Sequence, residues 1–199
     1  MTVTLFFVRH VPHELQDKVH VGRRDGVQLR EDAPERLARL TERFAREPLA
    51  AVYASPILRT QKTAEAIAAP KGLDVQTRDG LTELEAGEWT GRSFGDFTTD
   101  PAWDVWNRRR SLARIPGGES MLEVQGRMAL VLEEMREAHA GEHVLLVSHG
   151  DPIKAALLLM LGLSLDAYDR IDVEPGSVST AVLGDWGAKL LRLNEVVYP

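Results

Sequence analysis

Two stretches of this chain are almost unbroken apolar runs, VTLFFV at residues 3–8 and HVLLVS at 143–148. Neighbouring side chains of a strand point to opposite faces, so a run without polar alternation needs cover on both sides. A shorter run, LAAVYAS at 49–55, reads as another strand. Segments with helical periodicity separate these strands, and strands alternating with helices imply α/β architecture: a three-layer α/β/α sandwich with a mostly parallel central sheet. At 199 residues, with 44% hydrophobic and 27% charged residues, one domain over 1–199 accommodates the whole pattern.

Local signals set the remaining elements. Asp32 and Glu35 have capping-box spacing ahead of Leu37, Leu40 and Phe44, which predicts a helix over 33–46. Ser55 before Pro56 predicts a helix start, with the hydroxyl as N-cap, proline at the first helical position and an apolar stripe of Ile57, Ala64 and Ile67. LDVQT at 73–77 is a third strand. Ser120 and Glu123 form a second capping box, opening a helix through Met128, Val131 or Leu132, and Met135. DPIKAALLLMLG is the helix after the 143–148 strand. SVSTAVL and AKLLRLNEV flank GDWG, which predicts a hairpin at one edge of the sheet. Between about 81 and 118 periodicity fades and three of the four tryptophans gather, as expected of a lid or cap insertion over a site.

The balance of charge narrows the partners. A formal net charge of −6 argues against nucleic acid or an anionic membrane, both of which select clustered Lys and Arg. The absence of cysteine excludes thiol nucleophiles, disulfides and thiolate metal sites. The first apolar run stops at Val8, too short for a signal-peptide core or a membrane span, so the expectation is a cytoplasmic protein.

Three of the strands lead into basic chemistry: Arg9 and His10 after the first, Arg59 shortly after the second, His149 after the 143–148 strand. Open parallel sheets bind ligands at the carboxyl ends of their strands. Four cationic or potentially cationic groups at one end of a sheet repel one another unless an anion joins them, and phosphate suits the arginine fork and the amides of helix N-termini.

LFFVRH, ASPILRTQKTAEAI, LTELEAGEWTG, PGGES and LLVSHGDPI, in this order, resemble the histidine phosphatase superfamily, the phosphoglycerate-mutase-like proteins. The similarity covers nearly the whole chain. It implies that His10 is a nucleophile that is transiently phosphorylated, that Arg9, Arg59 and His149 form the phosphate pocket, and that Glu83 protonates the leaving group. The loop glycine Gly22, and Gly150 beside His149, would bring backbone close to the phosphate. The activity implied is a metal-independent, cofactor-free phosphatase for a phosphomonoester of a small metabolite, with a homodimer left open. The chemistry is coherent on its own terms: an imidazole attacks only through an unprotonated nitrogen, and arginines and His149 can neutralise the equatorial oxygens.

Several assignments stay open at this stage. Glu85 and Glu88 share the acidic stretch with Glu83. Asp151 is the runner-up acid, although capping of the next helix is the simpler role for it. The residue after the nucleophile, commonly glycine in the family, is Val11 here, followed by Pro12, and the usual asparagine is missing, with Gln16 the nearest substitute. Arg108 to Arg110 are candidates for a second anion subsite, against the plainer reading of a solvated basic face. Competing functions are phosphoglycerate-mutase-type transfer, a non-catalytic phospho-ligand module, and a metallohydrolase using His10, His13 and His20.

Overall fold

The computed structural model describes residues 1–197. Its strands are β1 (Thr2–Arg9), β2 (Leu49–Ala54), β3 (Val75–Thr77), β4 (His143–Ser148), β5 (Ser177–Gly184) and β6 (Gly187–Val196). Its longer helices are α1 (Ala33–Phe44), α2 (Leu58–Ala68), α3 (Pro101–Arg108), α4 (Met121–Ala138) and α5 (Gly150–Met160). One sheet runs in the order β3-β2-β4-β1-β5-β6, parallel from β3 through β1 and antiparallel at β5 and β6. The 177–196 hairpin occupies an edge, as its sequence predicts.

The apolar runs divide by pleat between two cores. Val3, Leu5 and Phe7 of β1 enter one cluster with Val144 and Leu146 of β4, beneath α4 and α5. Phe6 and Val8 enter the other with Leu145 and Val147, beneath α1 and α2. Both faces of the central strands are therefore dry, the arrangement that an unbroken run demands. Truncating such a side chain, for example Leu5→Ala, costs about 2–5 kcal/mol through lost transfer energy and a cavity.

α4 opens on the predicted capping box, with Ser120 and Glu123 satisfying each other's backbone N–H groups, and it buries Met128, Val131, Leu132 and Met135. α1 starts at the expected residue, but the expected caps of α1 and α2 do not form. Asp32 makes no cap: its carboxylate is taken by Arg30 and Arg36, at 2.6–2.8 Å. α2 begins at Leu58, with Ile57 in extended conformation as its cap residue and Ser55 and Pro56 outside the helix. The third strand shrinks to Val75–Thr77 because it pairs with β2 only opposite Val52–Ala54.

The 81–118 segment is short 3-10 turns plus α3. It sends Leu84, Trp89, Phe97, Trp106 and Ile115 into the α4/α5 core. Among the described residues no helix is long and apolar enough to cross a membrane.

Candidate active site

Parallel pairing sets three strand ends level. Arg9 of β1 lies opposite Ser148 of β4, and Ala54 of β2 lies opposite Val147. The residues that follow, His10, Ser55 and His149, are thereby neighbours although far apart in sequence. His10 borders a cavity of about 440 Å³ whose lining also includes Arg9, Gly22, Arg59, Glu83 and Gly150, while Ser55 and His149 lie fully buried behind it.

His10 is 2% exposed, and its Nδ1 lies 2.8 Å from the Val11 carbonyl oxygen. A carbonyl only accepts, so the proton sits on Nδ1 and Nε2 keeps its lone pair. Arg59 Nε donates toward that atom from 3.3 Å. Burial first, then Arg59 and Arg9, hold the His10 pKa well below the usual imidazole range. The ring is neutral at ordinary pH.

Arg59, 1% exposed, is anchored by Nη2 to the Gly22 carbonyl at 2.8 Å. Gly22 needs its residue type: φ is +48°, and a Cβ there would fall 2.8 Å from that of Ala86. Arg9 Nη1 donates to the Val173 carbonyl at 2.7 Å. Gly150 lets Arg9 pass closely, since a Cβ would sit 3.4 Å from Arg9 Cζ. Arg9 Nε, Arg59 Nη1 and His149 Nδ1 are buried without a partner. Such groups are costly unless something of opposite polarity joins them.

His149 is fully buried, its pKa held well below the usual range by burial and by Arg59. Its Nδ1 stands 3.9 Å from Glu83 Oε2. The other Glu83 oxygen accepts from the Leu84 amide at 2.9 Å. Burial, then the charge of Asp151, push the Glu83 pKa up to about 7, where a carboxyl carries a proton near neutrality.

The structure sorts the remaining candidates. Glu85 sits 3.7 Å from Arg23, Glu88 is exposed, and neither lines the cavity. Asp151 lines it but caps nothing: it accepts the Tyr168 hydroxyl at 2.6 Å, leaving His149 as the cap residue of α5 with no side-chain cap bond. Val11 packs into the α1/α2 core and its amide donates to Thr63 Oγ1 at 3.3 Å, so the amide in question is directed into the protein. Gln16 lines the cavity and keeps Oε1 buried without a partner.

Arg108 to Arg110 do not form an anion subsite. None of the three lines the cavity; Arg108 is a solvated partner of Asp104 at 3.0 Å, and Arg110 stacks 3.6 Å from the Tyr168 ring centre. His20 does not join His10 and His13 in a ligand set: it lies among Trp89, Phe94, Phe97 and Trp103. Among the described residues no cluster of three or more His, Asp or Glu side chains is placed to hold a metal.

Sequence reasoning missed Tyr168, Lys154 and Asp172 on the cavity wall, and misread Ser55. The first and last belong to a polar stretch with no motif. Ser55 carries a strong capping signal, yet its Oγ lies 2.8 Å from His149 Nε2.

Residues 5–196 match the histidine phosphatase superfamily (branch 1). "Phosphoserine phosphatase 1" of Hydrogenobacter thermophilus is 30% identical over 197 residues, 96% of this chain and 92% of the relative. A "probable phosphoglycerate mutase GpmB" of Yersinia pestis is 34% identical over 144 residues, 70% of this chain and 66% of the relative. Among solved structures, YhfR of Bacillus stearothermophilus superposes with a TM-score of 0.91 at 25% identity, covering 98% of both chains.

Proposed function

The chain belongs to branch 1 of the histidine phosphatase superfamily and is a phosphatase of a small phosphorylated metabolite, and within that activity we propose that His10 is the nucleophile, Arg9, Arg59 and His149 the phosphate cup, and Glu83 the proton donor. Nε2 of His10 attacks phosphorus. The bond from phosphorus to the ester oxygen breaks, and that oxygen takes the Glu83 proton. The two arginines and His149 hold the equatorial oxygens, with the Gly150 amide at the start of α5 adding the field of a helix N-terminus. Glu83, now a carboxylate, takes a proton from water as the water attacks the phosphohistidine. The P–N bond breaks, phosphate leaves, and Glu83 is again protonated.

One observation carries this reading: Arg9 Nε, Arg59 Nη1 and His149 Nδ1 are buried without partners, and Arg59 Nε stands 3.3 Å from the bare nitrogen of His10. A phosphoryl group satisfies all three. Rapid quench with a ³²P-labelled ester should trap an acid-labile, alkali-stable phosphoenzyme on the wild type and none on His10→Ala. Label surviving in His10→Ala would overturn the assignment, and turnover without any phosphoenzyme would favour direct attack by water.

We propose phosphoserine as the substrate. The relative named for that activity spans nearly the whole chain. Beyond the cup, the cavity wall offers Lys154 to a carboxylate and Asp17 and Asp172 to an ammonium group. Phe94, from the 81–118 segment, closes the wall as part of a cap over the leaving group. Phosphoserine should exceed 3-phosphoglycerate in kcat/KM for hydrolysis; conversion of 3-phosphoglycerate to its 2-isomer would instead support the mutase reading.

A further inference from the structure

We propose that Ser55 is a positioning residue that fixes the single ring proton of His149 on Nδ1, the atom facing Glu83 and the phosphoryl group. The inference rests on His149 being part of the phosphate cup.

Ser55 is fully buried at the end of β2. Its backbone carbonyl is held by Thr60 Oγ1 at 3.0 Å and Gln61 Nε2 at 2.6 Å, which locks the residue in place. Its hydroxyl oxygen already accepts the Ile57 amide at 3.3 Å and lies 2.8 Å from His149 Nε2. The buried imidazole is neutral, so it has one N–H to give.

Two tautomers are conceivable, and the hydroxyl separates them. If Nε2 carried the proton, Ser55 Oγ would accept from both Ile57 and His149. Its own hydrogen would then lack a partner in a dry site. If Nδ1 carries the proton, the Ser55 hydroxyl donates to Nε2 and keeps its own hydrogen paired, and Nδ1–H, which has no partner within the protein, is left to donate to an equatorial phosphate oxygen. A carbonyl beside His10 sets the tautomer of the nucleophile; a hydroxyl beside His149 sets the opposite partner.

The test combines side-chain ¹⁵N NMR of His149 with kinetics on the full chain. Wild type at pH 7 should show Nδ1 protonated and Nε2 bare. Ser55→Ala should populate the other tautomer and lower kcat about 10- to 100-fold. It should weaken vanadate, a mimic of the five-coordinate transition state, by a similar factor, while phosphate affinity changes less than about twofold. Ser55→Thr, which keeps a hydroxyl, should restore most of the loss. An Nε2-protonated His149 in the wild type overturns the proposal whether or not the variant folds, as does an unchanged tautomer and vanadate affinity in Ser55→Ala. Failure of the cup itself is read separately, as undiminished turnover in His149→Ala.

Discussion

Arg59 Nε stands 3.3 Å from His10 Nε2, so a guanidinium N–H is aimed at the nitrogen that has to attack. The contact holds the imidazole in orientation, and the cation depresses its pKa after burial has done most of that. Arg59→Gln should therefore move the acid limb of kcat/KM upward, toward 6.5 but not to it, and lower kcat/KM at least ~100-fold through the lost phosphate contact. A pH–rate profile on wild type and variant checks this. A limb that stays or moves down contradicts it.

Glu83 works as an acid only while protonated. With its pKa pushed up to about 7, chiefly by burial, activity should be present below that pH and decline as pH rises through it. Glu83→Gln should lower kcat by about 10²–10⁴-fold for an ester with a poor leaving group and remove the alkaline limb. For p-nitrophenyl phosphate, whose leaving group needs little protonation, the first step should suffer far less. Equal losses on both substrates would assign the acid elsewhere.

Gly22 combines positive φ, contact with Ala86 and a carbonyl that anchors Arg59. Gly22→Ala should destabilise the fold by about 1–3 kcal/mol and raise KM more than it lowers kcat. Thermal melts with steady-state kinetics check both. Gly26, also at positive φ but with open space around it, should tolerate alanine with a smaller loss and no change in KM.

Three histidines should make the protein acid-sensitive. His10 and His149 are held well below 6.5, and His13 is lowered to about 4 by burial, then Arg59 and Arg9. Below pH 6.5 the unfolded chain binds protons that the folded chain refuses, so stability falls as pH falls, by up to about 1.4 kcal/mol per pH unit for each histidine. Glu83 acts in the opposite sense between about 4.5 and 7, where the folded state holds the extra proton. Denaturant titrations at pH 5, 6 and 7 should show the net decline toward acid, and His13→Gln should flatten it.

Turnover should survive a metal chelator. The groups that balance phosphate charge in the proposed site are guanidinium and imidazole, and no cluster of metal ligands is present among the described residues. Assays with and without EDTA on dialysed protein check this, and loss of activity restored by a divalent ion would require a different mechanism.

The sequence by itself determined the layers and marked most of the residues proposed for the site. Unbroken apolar runs can persist only between two covered faces, so the sandwich was legible from VTLFFV and HVLLVS; Arg9, His10, Arg59 and His149 stood out at the ends of strands or in the helix after one, and Glu83 only through the motif resemblance. What failed were inferences from local chemistry where a distant partner competes. Ser55 has the pattern of a helix cap, but a buried imidazole 94 positions away binds its hydroxyl, and Asp151 likewise turns to Tyr168 rather than to its own helix. Arg108 to Arg110 look alike in the chain, yet α3 ends at Arg108, which stays in solvent, and the turn that follows packs Arg110 on an aromatic ring. Tyr168, Lys154 and Asp172 carry no signal at all, because a wall of the cavity is defined by which loops the closed sheet brings together, and sequence spacing does not encode that meeting. Only the tertiary structure decided these partners, since a polar group's final bond depends on every donor and acceptor within reach once water has been excluded.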